Sequence, residues 1–329
     1  MSNLAAPDVS FVVLSYNYGR YLSDCLASIV SQHTAAAFEV IVVDDASTDD
    51  SERVARSFAE PRVQFVRHAV NQGHIATVTD GLRLARGTFV ARIDCDDRYR
   101  PNYLSEVLAV FRHYPDVGLV YGDVALIDDT GMVTAERVDR AHGGRDFKGN
   151  ELTRLLEENF ICAPTVIARR ESWRQTLPVP AGLAFHDWYF TVMMARRYDF
   201  YYINQVLADY RVHAANLHTT IARNKTEETS IFRVLNMVYG EREAMPGLEE
   251  RKQRVRRQVH GAQYLTLANK YFGFGMDSDA QRCDLAAVRY RPAYLVQPAV
   301  MRRLLATVVG RKPYELAKSV VKSAPALTK

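Results

Sequence analysis

The chain has 329 residues, of which 48% are hydrophobic, so it is long enough for one large domain or two modest ones with a sizeable core. Its four cysteines stand far apart without a C-x-x-C pair, which argues against a disulfide framework or a structural zinc site and favours a reducing compartment. The amino-terminal residues lack the pattern of a secretory signal, and no apolar run approaches the roughly 20 residues of a membrane-spanning helix. These features predict a cytoplasmic protein.

The net charge of +4 is unevenly distributed along the chain. Residues 222–329 carry 20 Lys and Arg against 10 Asp and Glu, whereas the preceding 221 residues carry 22 against 28. Such an asymmetry suggests two regions with different roles. We therefore predict two domains, 1–221 and 222–329.

Short apolar runs alternate with helical patterns in the first part of the chain. The apolar runs are VSFVVLS (9–15), FEVIVVD (38–44), VQFVRH (63–68) and TFVARID (88–94), and the helical patterns lie near 20–32, 48–59, 74–86 and 101–114. This alternation predicts an α/β fold with a mostly parallel sheet covered by helices on both faces. Such sheets bind ligands at the carboxyl ends of their strands.

The pattern changes after residue 117. The stretch VGLVYGDVALID-DTG-MVTAER predicts a hairpin with Gly131 in its turn. Strands are predicted near 164–169 and 200–206, with a helix from about Asp187 to Arg197 between them. After Ala222 the sequence predicts helices only, including a helix pair around a glycine-rich turn.

Three carboxylates follow the fourth apolar run in the sequence DCDD. Asp94 and Asp96 fall on one side if the chain stays extended there. Carboxylate oxygens suit Mg²⁺ or Mn²⁺, whose coordination is often completed by substrate phosphates. The cluster therefore indicates a metal–diphosphate site. The alternative is a solvated acidic turn before the helix that starts near Pro101.

A second acidic segment, DDASTDD, follows the second apolar run. Ser47 or Thr48 is predicted to cap the next helix. This cap does not account for Asp44 and Asp45 at the strand end, which could accept hydrogen bonds from a base N–H or a ribose hydroxyl.

The loop after the first strand reads SYNYGRYL. It contains neither the G-x-G-x-x-G of a dinucleotide-binding unit nor a P-loop. Tyr16 could stack on a base, or it could simply pack under the loop.

Four segments in this order, SYNYGRYL, VVDDASTDDS, NQGHIATVTDGLRLARG and ARIDCDD, resemble glycosyltransferase family 2. The resemblance covers residues 9–218. It implies a GT-A fold, which is a Rossmann-like, mostly parallel sheet with helices on both faces, here followed by a C-terminal helical region.

The resemblance also implies which residues hold the donor nucleotide. The first-strand loop and Asp44 are expected at the nucleoside, Asp94 near the ribose, and Asp96 on the metal and diphosphate. At Asp80 this chain has Asp where the family commonly has Asn. The candidate nucleotide-binding residues are Ser15, Tyr16, Asn17, Asp44, Asp45, Asn71, Gly73, Asp80 and Asp94.

Two further segments match the family's catalytic half. In His186-Asp187-Trp188 the resemblance makes Asp187 the general base, although it could instead be an N-terminal helix cap. In the Y-R-x-H segment, His213 is expected near the metal with Asp94 and Asp96, and Arg211 near the phosphates. The role of His186 stays open.

The implied activity is an inverting, Mn²⁺- or Mg²⁺-dependent transfer from a nucleoside-diphosphate sugar to a hydroxyl of a glycan or lipid-linked acceptor. Two other classes are a non-catalytic sugar-nucleotide or glycan-binding protein on the same fold and a nucleotidyltransferase. The latter normally has a glycine-rich basic loop after its first strand, which SYNYGRYL does not resemble. The sequence leaves UDP-, GDP- and dTDP-sugars open as donors.

The C-terminal region is rich in basic residues, notably RKQRVRR (251–257) and the alternating apolar and basic segment 300–322. A basic amphipathic helix can lie on an anionic membrane surface, so a peripheral membrane contact is one prediction. Ordinary helices with solvated basic faces are the other. No nucleic-acid-binding motif accompanies the charge, so no nucleic-acid partner is predicted.

Overall fold

Ten strands form one mixed sheet in the computed structural model, which describes residues 6–58, 60–138, 141–213 and 223–310. The strands are β1 (Val9–Ser15), β2 (Phe38–Asp44), β3 (Val63–Arg67), β4 (Phe89–Asp94), β5 (Arg98–Tyr99), β6 (Val117–Ile127), β7 (Val133–Val138), β8 (Phe147–Gly149), β9 (Ile167–Arg169) and β10 (Asp199–Arg211). The helices of this part are α1 (Gly19–Val30), α2 (Ser51–Ser57), α3 (His74–Leu84), α4 (Tyr103–His113), α5 (Leu152–Glu157), α6 (Arg170–Arg174) and α7 (Asp187–Ala195).

The main path through the sheet runs β3-β2-β1-β4-β9-β6-β10-β5, and the four longest pairings are parallel. Every residue of β1 and β2 is buried, because helices cover both faces of these central strands. Helix α3 approaches β1 closely at Gly81, where a Cβ atom would collide with Cγ1 of Val12. The predicted α/β fold is confirmed.

The predicted hairpin is confirmed, since β6 pairs antiparallel with β7 and Gly131 has a φ of +85° in the turn. Two strand predictions had wrong bounds. Only 167–169 of the predicted strand 164–169 is extended, because Ala163–Thr165 forms a 3-10 turn. The strand predicted at 200–206 continues to Arg211, because β10 follows the long strand β6 to its end.

The chain divides into two compact units. The first comprises Met1–Leu155, Asn159–Asn216 and Glu243–Met245, and the second comprises Leu156–Glu158, Leu217–Arg242 and Pro246–Lys329. The domain boundary predicted after residue 221, and the basic sequence after residue 310, lie outside the described residues.

Among the described residues of the second unit, every regular secondary-structure element is a helix. Its helices are α8 (Thr226–Gly240), α9 (Leu248–Gly273), α10 (Asp277–Tyr290) and α11 (Pro298–Val309). The predicted helix pair corresponds to α9 and α10. A buried ion pair joins α11 to α10, with Arg303 Nη2 lying 2.6 Å from Asp284 Oδ1. Among the described residues, no helix is both long and apolar enough to cross a membrane.

Candidate active site

The carboxyl ends of β1, β2 and β4 meet at one edge of the sheet. Ser15 lies opposite Asp44 in the register of β1 and β2, and Leu14 lies opposite Asp94 in that of β1 and β4. The loops that follow these strands therefore converge at the edge where α/β sheets bind ligands. Tyr16, the first residue after β1, is 47% exposed there, whereas Ser15 is buried.

Asn17 ties the loop after β1 to the loop after β2. Its backbone N–H donates to Ser47 Oγ at 2.9 Å, and its Oδ1 accepts from the backbone N–H of Thr48 at 2.8 Å. Asn17 has a φ of +56°, a left-handed conformation that Asn tolerates better than most residues. The structure therefore gives Asn17, a predicted nucleotide ligand, a loop-ordering role.

Asp44 is fully buried at the end of β2. Its Oδ1 accepts from Ser47 Oγ at 2.5 Å, and its Oδ2 accepts from the Ser47 backbone N–H at 3.0 Å. The cap prediction for Ser47 or Thr48 is wrong, because Ser47 bonds to Asp44 and α2 begins only at Ser51. Asp44 thus lies at the predicted strand end but folds the following loop around itself, and its contact with a nucleoside stays a prediction.

Asp45 orders the segment before α3. Its carboxylate accepts from the backbone N–H groups of Gln72 and Gly73, both at 2.8 Å. His68 lies between two acids, with Nδ1 2.8 Å from Asp45 and Nε2 3.3 Å from Asp80. Asp80 is thereby placed beside this buried histidine. Asn71 is exposed on the same segment.

The side chains of Arg92 and His74 both bind the carboxylate of Asp94. Arg92 Nη2 lies 2.9 and 3.0 Å from its two oxygens, and His74 Nε2 lies 2.9 Å from Oδ1. Burial by itself would raise the pKa of Asp94, but the guanidinium of Arg92 and the ring of His74 outweigh it and lower that pKa. Asp94 is therefore a stable carboxylate.

Asp96 has a less favourable environment. Burial, and then the neighbouring charge of Asp94, raise the pKa of Asp96, although His213 Nε2 lies 3.0 Å from its Oδ2. Asp97 is buried and accepts from the backbone N–H of Arg211 at 2.8 Å. The side chains of Asp94 and Asp96, 33% and 14% exposed, are thus the two that reach the surface of this turn.

These residues fit a divalent cation by the chemistry of their donors. Asp94 and Asp96 offer hard oxygen ligands, and His213 offers an imidazole nitrogen. A bound cation would also offset the electrostatic repulsion between the carboxylates of Asp94 and Asp96. No group of three or more His, Cys, Asp and Glu side chains forms a ready metal cage in the described parts of the chain. A site with few protein ligands is typical of cations that also bind substrate phosphates.

Arg211 does not face the open side of the site, contrary to the predicted contact with phosphate. Its side chain is 2% exposed, with Nε donating to the carbonyl of Asp96 at 2.7 Å and Nη1 to that of Asp128 at 2.9 Å. Nη2 lies 2.9 Å from Asp24. Because these partners surround the guanidinium, Arg211 holds the acidic turn in place.

We expect Arg211→Met to destabilise the fold by about 3 kcal/mol, since it leaves the buried carbonyls of Asp96 and Asp128 unsatisfied and removes the closer of the two ion pairs of Asp24. Urea unfolding measures the change. Arg20→Met is the control, because the ion pair of Arg20 with Asp129 is exposed and worth less than about 1 kcal/mol. An unchanged free energy of unfolding, with nucleotide binding lost, would instead support the phosphate contact.

Asp187 is the first residue of α7. It is not the helix cap, because His186 occupies the N-cap position. Asn159 Nδ2 lies 3.3 Å from Asp187 Oδ2, and the carboxylate lies at the positive end of the helix dipole. Asp187 also lines a cavity of about 10 Å³ together with Arg92, Ile161 and Phe190.

Two residues of this site were not singled out from the sequence, Arg92 and His74. Arg92 is a buried charge in an otherwise apolar strand, and that pattern signals a partner nearby. His74 connects Asp94 to His186, whose Nδ1 lies 3.2 Å from His74 Nδ1. The edge of β4 and the start of α7 are therefore joined by side chains.

The sheet order, the acidic turn at its carboxyl edge and the aspartate at the start of α7 define the GT-A class of glycosyltransferase folds. The sequence model described as Glycosyl transferase family 2 matches residues 10–176, and the chain belongs to this family.

Relatives and solved structures agree with this assignment. An uncharacterized protein of Mycobacterium tuberculosis is 30% identical over 254 residues, which are 73% of this chain and 72% of that protein. The PGL/p-HBAD biosynthesis glycosyltransferase of Mycobacterium bovis is 31% identical over 170 residues, 51% of this chain and 61% of its own.

Two solved structures show the shared fold. Staphylococcus aureus TarS 1-349, in complex with UDP-GlcNAc, has a TM-score of 0.66 at 14% identity and covers 98% of this chain and 93% of its own. The mannosyltransferase PcManGT of Pyrobaculum calidifontis, in complex with GDP-Man and Mn²⁺, has a TM-score of 0.59 at 20% identity, covering 93% of this chain and 87% of its own.

Proposed function

We propose that this chain transfers a sugar, with inversion, from a nucleoside-diphosphate sugar to a hydroxyl of a glycan or lipid-linked acceptor. The observation that carries the proposal is the turn at the carboxyl edge of the sheet, where Asp94 and Asp96 reach the surface. The ligands of TarS and PcManGT, UDP-GlcNAc and GDP-Man, support the donor class. A hexosyl donor is the class that both share.

Asp96 is the proposed ligand of Mn²⁺ or Mg²⁺, with Asp94 and His213 beside it, and Mn²⁺ in PcManGT supports this choice. When bound, such a cation stabilises the negative charge that develops on a leaving diphosphate. Arg211 keeps the acidic turn in place for this task through its bond to the Asp96 carbonyl.

The residues of the chain itself have distinct proposed roles. Asp187 takes the proton from the acceptor hydroxyl, and Asn159 orients its carboxylate. Tyr16, exposed at the edge, stacks on the nucleobase. Asp45 shapes the opposite wall by holding the backbone of Gly73.

The donor can be tested by the thermal stability of the protein with UDP, GDP, dTDP and CDP, each with Mn²⁺ or with EDTA. A ligand at about 100 times its Kd stabilises the native state by about 2.7 kcal/mol, so we expect one nucleotide to raise Tm on the order of 5 °C only with Mn²⁺. ATP with Mn²⁺ is the control. No shift with any nucleotide would favour the glycan-binding alternative, and a shift with ATP alone a nucleotidyltransferase.

We also propose a peripheral contact with anionic lipid through α11 and the turn before it. Leu295, Val296, Met301 and Leu305 are each about half exposed or more, and Met301 and Leu305 share one face of the helix. Residues 291–329 carry eight Lys and Arg and one acidic residue, Glu315. An apolar face within a basic segment is complementary to an anionic membrane surface.

Co-sedimentation with phosphatidylcholine vesicles, with and without about one-third phosphatidylglycerol, tests this contact. We expect binding to the anionic vesicles only, and its loss in Met301→Glu/Leu305→Glu. Met132→Glu, at an exposed apolar position of the first unit, should bind like the parent. If the protein stays in the supernatant with both kinds of vesicle, the proposed lipid contact is wrong and these helices have ordinary solvated faces.

A further inference from the structure

Two histidines connect the acidic turn to the start of α7. His74 is the first residue of α3, and its Nε2 lies 2.9 Å from Asp94 Oδ1. Its Nδ1 lies 3.2 Å from Nδ1 of His186, the N-cap residue of α7, and the two ring centroids are 4.3 Å apart. We call Asp94, His74 and His186 the histidine bridge. His186 immediately precedes Asp187.

The proton positions in the histidine bridge follow from its acceptor end. Asp94 is a carboxylate and only accepts, so His74 Nε2 carries a hydrogen and donates to it. In a neutral His74 the other nitrogen, Nδ1, is then a bare acceptor. With His74 in this form, His186 donates to it from Nδ1–H, and Nε2 of His186 then carries no hydrogen.

The surroundings of His186 keep it neutral. Burial is the largest cause that lowers the pKa of His186 well below its ordinary value, and the nearby charge of Arg92 acts in the same direction. Phe190 packs edge-on against its ring at 5.5 Å. Within the described part of the chain, the buried Nε2 of His186 has no hydrogen-bond partner. A buried nitrogen without a hydrogen bond destabilises the fold, and an apolar side chain at this position would avoid that cost. This cost argues that the hydrogen bond between His186 Nδ1 and His74 has a role.

The bridge is also held from the nucleotide side. Asp45 accepts the backbone N–H groups of Gln72 and Gly73, the two residues that precede His74. The position of His74 therefore depends on the loop after β2 as well as on Asp94. Loops from both sides of the proposed donor site converge on the residue that contacts His186.

We propose that His74 and His186 are positioning residues, which fix the start of α7, and with it Asp187, relative to Asp94. This inference rests on the proposed function, because it uses the proposed roles of Asp94 and Asp187. The hydrogen bonds of the histidine bridge are contacts of the structure and do not depend on those roles. A base that is displaced by about 1 Å can lose on the order of 100-fold in rate, so a rigid connection from donor carboxylate to base has a kinetic consequence.

Amide substitutions separate the two halves of the bridge. The amide of Gln reaches the place of a histidine Nε2, and that of Asn the place of Nδ1. His74→Gln thus keeps the bond to Asp94 and removes the one to His186. His186→Asn keeps the bond to His74, and His186→Gln does not. His33→Gln, at an exposed position away from the site, is the control.

The kinetic test measures turnover of UDP-N-acetylglucosamine and GDP-mannose with Mn²⁺. For the donor that the parent enzyme uses, we expect His74→Gln and His186→Gln to lower kcat about 10- to 100-fold with little change in donor KM. His186→Asn should recover most of that loss. Unchanged kcat in His74→Gln, or an equal loss in His186→Asn and His186→Gln, would overturn the positioning role.

A spectroscopic test is independent of activity. In long-range ¹H–¹⁵N spectra of histidine-labelled protein, we expect the Nε2–H tautomer for His74 and the Nδ1–H tautomer for His186. His74→Gln should move the ¹⁵N shifts of His186. Unmoved shifts would show that the rings are not paired and would overturn the inference. If the tautomers are as expected but the parent turns over neither donor, the proposed function is contradicted. The hydrogen bond between His74 and His186 would still be supported in that case.

Discussion

Replacing Asp187 with Asn should lower turnover by about 10²- to 10⁴-fold while leaving nucleotide affinity nearly unchanged. Asn has the same shape but cannot take a proton from the acceptor hydroxyl. The bond from Asn159 can be kept, since the amide oxygen also accepts. Steady-state rates of nucleotide release, together with calorimetric binding of the nucleotide that stabilises the parent protein, measure the two quantities.

The control must separate loss of the base from loss of a favourable charge at a helix start. Glu171 lies in the first turn of α6 and is exposed, so Glu171→Gln changes the same charge outside the site. We expect its turnover to match that of the parent. If Asp187→Asn keeps full turnover, another group is the base. If the parent itself shows no transfer but binds nucleotide, the non-catalytic alternative gains support.

Asp187 lies at the start of a helix and is partly exposed. The N-terminal end of α7 stabilises its charge, and the apolar residues Ile161 and Phe190 line the small cavity beside it. Arg92, which lines the same cavity, binds Asp94 on its other side. One buried guanidinium therefore binds Asp94 and also lines the cavity beside Asp187, the proposed base. This arrangement requires β4 and α7 to be adjacent in the fold.

The edge of the sheet could be predicted from local patterns alone. The first four strands, β1 to β4, are short apolar runs that each end in a polar residue, and parallel strands bring their carboxyl ends together whatever the loops do. Asp44 and Asp94 were placed correctly at these ends because strand periodicity is local. Only the order of the strands was needed to predict that these two residues lie along the same edge of the sheet.

The direction in which a polar side chain points could not be predicted in the same way. An arginine after a strand, next to an acidic turn, gives the same pattern whether it reaches outward to a phosphate or inward to carbonyls. For Arg211 the carbonyls of Asp96 and Asp128 decide, and Asp128 belongs to a hairpin far away in sequence. The loop-ordering contact of Asn17 could not be predicted for the same reason, since its partner Thr48 lies 31 residues away, and a contact of Asn17 with the nucleotide stays a prediction.

His74 shows the limit more sharply. It stands at the start of a predicted helix, where polar residues are common, so nothing local distinguishes it. Its two partners come from β4 and from the N-cap of α7, and both contacts depend on the tertiary fold. Arg92 was different. A charged residue inside an apolar strand is a rare pattern, and it could have been used to expect an acidic partner.

Asp96→Asn should have opposite effects on stability with and without a divalent cation. Without one, the carboxylate of Asp96 is disfavoured by burial and by Asp94, as the raised pKa of Asp96 indicates, so the neutral amide should leave Tm at pH 8 unchanged or higher. With Mn²⁺ and the nucleotide that stabilises the parent, the variant should lose most of the rise in Tm, because the proposed metal ligand is gone.

Asp116→Asn, which changes an exposed carboxylate before β6, is the control and should keep the full rise in Tm. A complete Mn²⁺-dependent rise in Asp96→Asn would exclude Asp96 as the metal ligand. A large loss of Tm in EDTA would mean that its bond to His213 outweighs the repulsion from Asp94.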